Sequence, residues 1–392
     1  MVKNIINKVM DSQSRYVREV IRLADLKNIE SFVVGGMVRD VLMGRKSLDL
    51  DFTFNQSPED LVIKLSQKFN SAYVYHKRFN TYAITLKDGS EIDFATFRKE
   101  IYPYAGSLPV VYPGTLHEDL FRRDFTINAI CMKLHKTLKG DLIDPFQGLS
   151  DLKRGIIRVL HCGSFIDDPT RIFRLVRFLV RFNFKMDVST SIALEKAFGD
   201  GVVSNLSGAR IKNELLALCK EKDPGASFKK LDSFGILKQL RPQLAYNPRM
   251  RFIKSDYGYK NLMILLQFWS IQEAHIFLDD LQLNNENKKR IIATLQIKQC
   301  VMNDELLSGI NFSDVDLDVL PYFHGIKLNK VKLVKKRFQR KKIITGQDLR
   351  KMGFAPGPKY KEIILFVNRA LDEGSIKSKK DAQKIILNKF SQ

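Results

Sequence analysis

Two aspartates in a short alternating run are the residues of this chain best suited to chemistry. Residues 48–52 read LDLDF, and on a β-strand residues two apart point to the same face. Asp49 and Asp51 are therefore predicted to project side by side. Adjacent carboxylates repel each other and are costly to desolvate, and a divalent cation such as Mg²⁺ removes that cost. The run predicts a metal site, although a solvated strand edge would carry the same residues.

A glycine pair lies upstream of these aspartates. The apolar run FVV ends at Gly35 and Gly36, and residues 37–43 then place apolar side chains at helical spacing, with Arg39 and Asp40 predicted to face outwards. Bare backbone N–H groups at the beginning of a helix can bind phosphate. A Gly-Gly pair alone is also an ordinary turn. Together with the aspartates, it predicts a site for a metal ion and a triphosphate.

The whole stretch of residues 35–51, GGMVRDVLMGRKSLDLD, resembles the signature of the polymerase-β-like nucleotidyltransferases. Its form is similar to the class II branch, which comprises bacterial CCA-adding enzymes, their A-adding and CC-adding relatives, and bacterial poly(A) polymerases. The string RRDFTINAI at residues 122–130 is the most specific motif of this family in the chain. Chemically, Arg122 and Arg123 can hold triphosphate oxygens in fork geometry. Asp124 and Asn128 fit contacts to sugar hydroxyls or to backbone.

The resemblance also implies a third acidic residue on a neighbouring strand. Asp93, in the string GSEIDFATFR, matches that position and shares a face with Glu91 and Ala95. The alternative is an ordinary surface aspartate at a strand edge. Gly35, Gly36 and Arg39 are assigned to nucleotide binding with the arginines of the RRD motif.

Base selection is predicted at the helix that begins near residue 168, in the string DDPTRIFRLVR. Asp168 and Arg171 are three residues apart and so face the same way. Adenine and cytosine share an amino donor beside a ring-nitrogen acceptor, which a carboxylate and a guanidinium complement, whereas guanine and uracil are opposed. An ion pair at the helix start is the alternative. The family motif is Glu-Asp-x-x-Arg, and Asp167 stands where Glu is expected.

Arg174 and Arg177 follow on the same predicted helix and are assigned to nucleotide binding with Asp168 and Arg171.

Composition indicates the class of partner. The 392 residues carry a formal net charge of +22, which favours a long polyanion, although a ribosome-bound or membrane-surface protein would share it. The four cysteines are far apart and form no CxxC pair, so neither a zinc site nor a disulfide framework is indicated, and a reducing cytosol is expected. The N-terminus reads as a charged amphipathic helix rather than a signal peptide, and no stretch is apolar enough to span a membrane.

A basic run near the C-terminus is the predicted RNA contact. Residues 327–342 hold nine basic residues and no acidic one, with an apolar stripe that predicts an amphipathic helix. Lys335, Lys336 and Arg337 are assigned to phosphate contacts, with a solvated helix face as the alternative. Residues 344–374 resemble the tail motif of bacterial tRNA nucleotidyltransferases. There Gly353 and Gly357 would permit close approach of a phosphate chain, or are ordinary turn glycines.

The predicted fold is an α/β nucleotidyltransferase head with a mixed β-sheet of about five strands, followed by all-α neck, body and tail domains. The predicted bounds are 1–137, 138–220, 221–326 and 327–392. Strands are predicted at residues 72–75, 81–86 and 91–97. Residues 98–115 are predicted as a long loop without regular structure, and residues 142–152 as a structural turn, cap and hinge. A neck helix is predicted to begin at Ser207.

The resemblance implies a template-independent enzyme that adds CCA, or only the terminal A, to the 3′ end of tRNA. The RNA 3′-OH attacks the α-phosphate of CTP or ATP and pyrophosphate leaves. Two Mg²⁺ ions would be held by Asp49 and Asp51, with Asp93. The long loop argues against addition of CC only, and no protein partner is implied. A poly(A) polymerase shares head and neck and stays open, as does a catalytically silent RNA-binding relative, which would not need both Asp49 and Asp51.

Overall fold

The computed structural model describes residues 15–45, 50–137, 140–254, 258–303, 314–338, 343–372 and 374–390, without the side chains of residues 333, 336–338, 361 and 372. The chain divides into two compact units, residues 1–206 and 207–392.

The first unit is built around a seven-stranded sheet. Its strands are β1 (Ser31–Val34), β2 (Leu50–Phe54), β3 (Tyr73–His76), β4 (Thr81–Thr85), β5 (Glu91–Thr96), β8 (Cys131–Leu134) and β9 (Gly140–Ile143). Their order is β3-β4-β5-β2-β1-β8-β9. Strands β2 and β5 are parallel, and the other neighbours are antiparallel. The predicted mixed sheet is confirmed, with seven strands instead of about five, and the predicted strands at 72–75, 81–86 and 91–97 correspond to β3, β4 and β5.

One face of this sheet forms the main core against three helices. These are α1 (residues 15–26), α2 (Gly36–Leu42) and α3 (Glu59–Phe69). Leu50, Phe52 and Phe54 alternate along β2 and are almost fully buried, and each such side chain contributes about 1.5–3 kcal/mol on burial. Because side chains alternate along a strand, Asp51 belongs to the opposite face. The same alternation fixes the register, since a slip by one residue would bury the carboxylate.

Residues 98–115 contain a hairpin, so the prediction of a loop without regular structure is wrong for residues 98–101 and 110–113, whereas residues 102–109 form its connection. Strands β6 (Arg98–Ile101) and β7 (Val110–Pro113) pair antiparallel. The connection between them is held by contacts at its middle: the Gly106 N–H donates to the Ile166 carbonyl over 3.2 Å, and Ser107 is buried. The hairpin leads into α4 (Leu116–Phe121), which a Thr115–Glu118 capping box begins.

The rest of the first unit is mainly helical. It contains the 3₁₀ turns Thr126–Asn128 and Val202–Asn205, helices α5 (Gly148–Arg154), α6 (Ser164–Asp167), α7 (Thr170–Phe182) and α8 (Val188–Gly199), and the paired β10 (Ile156–Ile157) and β11 (Lys185–Met186).

The segment 142–152 has the predicted structural roles of turn and cap. Asp144 accepts hydrogen bonds from the backbone N–H groups of Gly148 (2.7 Å) and Leu149 (2.9 Å) at the start of α5. A Cβ on Gly148 would lie 2.2 Å from the Thr126 carbonyl oxygen, so only glycine allows this approach. Asp151 is buried and accepts from the Thr126 hydroxyl over 2.8 Å. These contacts tie the segment to the turn that carries the RRD motif.

The regular elements of the second unit, among its described residues, are all helical. Its helices are α9 (Gly208–Cys219), α10 (Pro224–Ser233), α11 (Ile236–Leu240), α12 (Gly258–Leu265), α13 (Ile271–Asp280), α14 (Asn285–Met302), α15 (Leu328–Phe338), α16 (Gly346–Lys351), α17 (Pro358–Asp372) and α18 (Lys379–Phe390), with a 3₁₀ turn at Leu320–Tyr322. Ser207 is the N-cap residue of α9, as predicted. Among the helices that the structure describes, none combines the length and apolarity needed to cross a membrane. The four-domain division stays a prediction; the sheet itself includes β9, which begins at residue 140.

Candidate active site

The structure places two of the three predicted catalytic carboxylates on neighbouring strands. In the parallel pair β2 and β5, Asp51 is the register partner of Asp93, so both carboxylates project from the same sheet face at a strand spacing of about 4.8 Å. Asp51 is partly buried and Asp93 is exposed. Asp49 lies outside the described residues, which contain no cluster of three or more acidic, His or Cys groups able to hold a metal. The position of Asp49 stays a prediction.

At the Gly35 turn, an arginine that is predicted to bind the triphosphate, Arg123, lies close to Asp51. Gly35 adopts a left-handed φ of +70° at the end of β1, and a Cβ there would lie 2.9 Å from Arg123 Nη1 and 3.7 Å from Asp51 Oδ2. Gly35, Arg123 and Asp51 therefore lie close together, and their roles stay predictions. The Arg123 Nε atom is buried by protein and has no hydrogen-bond partner among the described residues.

The backbone N–H of Gly35 donates to the Ile130 carbonyl oxygen over 3.4 Å. It is therefore less available to a phosphate than the sequence suggests. Gly36 begins α2, and a Cβ on it would lie 3.4 Å from Arg39 Nη2.

The prediction that Arg39 faces outwards is wrong. Its side chain is buried, donates to Asn128 Oδ1 over 2.6 Å and pairs with Asp40 at 2.9 Å. The guanidinium lies 5.1 and 5.0 Å from the ring centres of Phe178 and Phe182, in cation–π range. Helix α7, far along the chain, covers the side of α2 that local periodicity assigns to solvent. The nucleotide-binding role of Arg39 stays a prediction.

Asp124 and Asn128 form a buried network with two arginines. Asp124 Oδ1 accepts from the Phe125 N–H and from Asn128 Nδ2, both at 2.8 Å, and Oδ2 accepts from Arg174 over 2.7 Å. Burial opposes ionisation of Asp124, but the Arg174 guanidinium and the Asn128 amide outweigh it and hold its pKa below the usual value. The network connects the RRD motif to α2 through Arg39 and to α7 through Arg174.

A series of ion pairs with alternating charges includes both arginines that are predicted to bind the triphosphate. Glu100 on β6 accepts from Arg98 (3.1 Å) and Arg122 (3.0 Å), and Asp119 on α4 accepts from Arg122 (2.9 Å) and Arg123 (3.1 Å). Sequence analysis did not single out Glu100 or Asp119. The spacing of Asp119 to Arg122 and Arg123, i to i+3 and i+4 on a helix, is a signal that could have identified it, whereas no local pattern marks Glu100.

The base-selection candidates lie at the start of α7. Asp168 Oδ1 accepts from the Thr170 N–H (3.1 Å) and hydroxyl (2.6 Å). Arg171 is almost fully buried and donates to Ser164 Oγ (2.7 Å), to the Arg122 carbonyl (2.7 Å) and to the Tyr102 hydroxyl (3.4 Å).

Tyr102, which sequence analysis missed, comes from the hairpin and donates to Glu100 over 2.9 Å. Burial raises the pKa of the Tyr102 hydroxyl, so it stays a neutral donor. Arg177, like Arg174, is partly buried on α7.

The RNA-binding candidates lie in the second unit. In helix α15 the apolar side chains of Val331 and Val334 are buried, whereas Leu328 is 69% exposed at the helix start. Lys335 Nζ lies 3.8 Å from Asp318, and the side chains of Lys336 and Arg337 are outside the described part. Gly353 has φ +88° just after α16, the usual way in which glycine ends a helix. Neither Gly353 nor Gly357 has an atom within 4 Å of a built Cβ, so both face open space.

Comparisons with known proteins agree with this geometry. Residues 31–158 match the family model described as poly A polymerase head domain, and residues 183–247 match the model described as probable RNA and SrmB-binding site of polymerase A. The chain is 30% identical to an A-adding tRNA nucleotidyltransferase of Halalkalibacterium halodurans, over 90% of this chain and 86% of that protein. It is 28% identical to an A-adding tRNA nucleotidyltransferase of Geobacter sulfurreducens, of which it spans only 46%.

Two solved structures match almost the entire chain. A CCA-adding enzyme in complex with ATP is 27% identical with a TM-score of 0.74, and the match covers 98% of this chain and 97% of that one. The Thermotoga maritima CCA-adding enzyme, complexed with tRNA CCA, is 27% identical with a TM-score of 0.64, covering 99% and 98%.

Proposed function

Because the chain belongs to the class II tRNA nucleotidyltransferase family, we propose that it adds nucleotides from ATP and CTP to the 3′ end of tRNA without a nucleic-acid template. The RNA 3′-OH attacks the α-phosphate and pyrophosphate leaves. The observation that carries the proposal is that Asp51 and Asp93 share one face of the central strands and that Gly35 and Arg123 lie beside Asp51. Addition of the terminal adenosine is the minimum activity, because the H. halodurans relative is named for it.

Nucleotidyltransferases of this kind are in general metal-dependent, and the donor set fits Mg²⁺. Asp51 and Asp93 offer only carboxylate oxygens, which are the ligands that this hard cation prefers. We assign two Mg²⁺ ions to Asp51 and Asp49, with Asp93 beside them. Bound Mg²⁺ lowers the pKa of an attacking hydroxyl and neutralises charge on leaving pyrophosphate. Asp51 and Asp93 would hold the reacting groups, through the metal ions, at fixed positions on the sheet.

For the triphosphate, we assign Arg123 and the first turn of α2 at Gly36 as direct contacts. Arg123 Nη1 lies at the Gly35 turn, 2.9 Å from the place of a Cβ on Gly35, which in turn is 3.7 Å from Asp51 Oδ2. Arg122 is held by Glu100 and Asp119, so its positive charge supports the site from behind. Gly35 contributes by leaving space that any side chain would fill.

For base choice, we assign Asp168 as acceptor of the exocyclic amino group and Arg171 as donor to the ring nitrogen. Arg171 is also bonded to the carbonyl oxygen of Arg122, so the base site and the triphosphate site share a rigid connection. Arg39, Asp124, Asn128, Arg174 and Arg177 complete the assigned nucleotide site.

The basic second unit is assigned to the tRNA acceptor stem, which a protein recognises by shape and phosphates. A cytoplasmic location and the absence of a protein partner belong to the same proposal.

The test is incubation of the pure chain with single labelled nucleotides, MgCl₂ and three tRNAs: one that lacks CCA, one that ends in CC and one that is complete. The proposal expects one adenosine on the CC-ended tRNA and none on the complete one. Cytidine addition to the first tRNA would identify a full CCA-adding activity. Because the head matches a poly A polymerase model, poly(A) synthesis is the second candidate, and continued addition of adenosine to the complete tRNA would favour it. No incorporation on any tRNA would contradict both.

A further inference from the structure

A fully buried carboxylate, Asp119, lies directly behind Arg123, the residue proposed to contact the triphosphate. The Asp119 side chain has no solvent exposure. One oxygen, Oδ1, accepts from Arg122 Nε (3.1 Å) and Nη2 (2.9 Å), and the other, Oδ2, accepts from Arg123 Nη2 (3.1 Å). Asp119 thus connects the two arginines of the RRD motif.

The surroundings of Asp119 determine its charge as well as its position. Burial alone would disfavour its ionised form, but the Arg122 and Arg123 guanidiniums outweigh burial and keep the pKa of the carboxyl below its usual value. Arg122 is in turn anchored from the other side by Glu100 over 3.0 Å. Asp119 is therefore a charged acceptor at neutral pH, held by three hydrogen bonds from two arginines.

This arrangement determines which atoms of Arg123 can meet a ligand. Asp119 binds Nη2 and protein atoms cover Nε, so the nitrogen that faces the Gly35 turn is Nη1, 2.9 Å from the place of a Cβ. Buried ion pairs contribute little net stability compared with apolar packing, so stability alone is a weak reason for a carboxylate at this place.

We propose that Asp119 is the positioning residue for triphosphate recognition: it fixes the Arg123 guanidinium against Gly35 and beside Asp51. The inference rests on the proposed function, because it takes the ligand of Arg123 to be the triphosphate of the incoming nucleotide. Asp119 itself does not touch the nucleotide; it acts through Arg123.

The experiment measures calorimetric binding of inorganic tripolyphosphate, with MgCl₂, to the full chain and to four variants. Asp119→Asn removes the charge and turns an amide N–H₂ towards a guanidinium, so affinity should fall roughly 10- to 100-fold, the usual effect of losing the outer partner of a ligand group. Arg123→Ala should lose at least as much, and adding Asp119→Asn to it should cost nothing further. Glu19→Gln is the matched control, since Glu19 on α1 is another buried carboxylate that accepts from two cations, Arg22 and Lys68.

The KM for ATP should rise with the loss of tripolyphosphate affinity, whereas tRNA affinity and the preference for A and C over G and U should stay unchanged. If Asp119→Asn unfolds at the assay temperature, Asp119→Glu takes its place, and the same direction is expected because the guanidinium moves with the longer side chain. Binding by Asp119→Asn equal to that by Glu19→Gln, with Arg123→Ala impaired, would overturn this inference alone. Undiminished binding by Arg123→Ala would instead overturn the triphosphate assignment of the proposed function.

Discussion

Arg123 shows how little freedom a single side chain has at this site. Its guanidinium is held on one side by Asp119 and on the other by the Gly35 turn. Glycine is required at position 35 both for its φ of +70° and for the space that Arg123 occupies. Any side chain at residue 35 would therefore displace Arg123, the residue proposed to contact the triphosphate, and would also strain the backbone.

At the residue scale, the carboxylates are tested by Asp51→Ala and Asp49→Ala. Either change should lower incorporation by at least about a thousandfold, since metal ions supply several kcal/mol of transition-state stabilisation. Affinity for tRNA should stay nearly unchanged, because binding is assigned to the second unit. Glu91→Ala, which removes an exposed acid from the same strand as Asp93, is the control. Near-normal activity in either aspartate variant would refute the two-metal assignment.

Base choice is tested by Arg171→Ala. Removing a good bidentate interaction costs about 1–3 kcal/mol of discrimination, so the ratio of A and C to G and U incorporation should fall correspondingly. The melting temperature should also fall, because Ser164 and the Arg122 carbonyl lose a buried donor.

Arg158→Ala removes another arginine that holds a buried carboxylate, Asp151, and should lower stability without changing that ratio. A lower melting temperature with an unaltered ratio of nucleotide incorporation in Arg171→Ala would mean that Asp168 and Arg171 only stabilise the start of the helix.

The site residues that could be predicted from sequence have short-range signals. Alternation along β2 and β5 places Asp51 and Asp93 on one face, and a Gly-Gly pair after a short apolar run indicates a turn. The surroundings of Arg39 and Arg171 could not be predicted in this way. Their partners lie 89 residues away for Asn128, and 49 and 69 residues away for Arg122 and Tyr102. No local period contains that information.

At the scale of elements, the β6–β7 hairpin is the feature that sequence reasoning described least well. Each strand has only four residues, and prolines occur at 103, 109 and 113, so the segment has the composition of a loop. The pairing is recognisable only with the register in view. Through Glu100 and Tyr102 the hairpin holds Arg122 and Arg171, which connects it to both halves of the proposed nucleotide site.

Helix α16 provides a test of pH dependence. Hydrogen bonds from Lys379 and then from Thr345 lower the pKa of Asp348 to about 2. Its unfolded value is about 3.9, so its contribution to tail stability is complete above about pH 4 and is lost as the pH falls through about 2. Hydrogen exchange of the α16 amides should accelerate in Asp348→Asn at pH 5, but the variant and the parent should converge near pH 2. A constant difference between them over this range would contradict the linkage.

At the scale of the whole molecule, the net charge of +22 predicts tRNA binding that weakens steeply with salt. Charge reversal at Lys335, Lys336 and Arg337 should weaken binding and flatten the logarithmic salt slope by about one unit for every phosphate that the variant no longer neutralises. Lys64→Glu, at an exposed lysine of α3 in the first unit, serves as the control and should have a smaller effect. An unchanged slope in the triple variant would show that this run is a solvated face.

Strand β3 ends the order of the seven-stranded sheet, and its Tyr73, Val74 and Tyr75 are 42–53% exposed. An apolar strand at a sheet edge is a template for pairing with another copy. Mutual repulsion of highly charged molecules opposes such pairing, and salt screens that repulsion. The salt that strips nucleic acid from the protein during purification should therefore also promote its aggregation. We expect light scattering of the concentrated protein to rise with ionic strength, and Val74→Lys to suppress that rise.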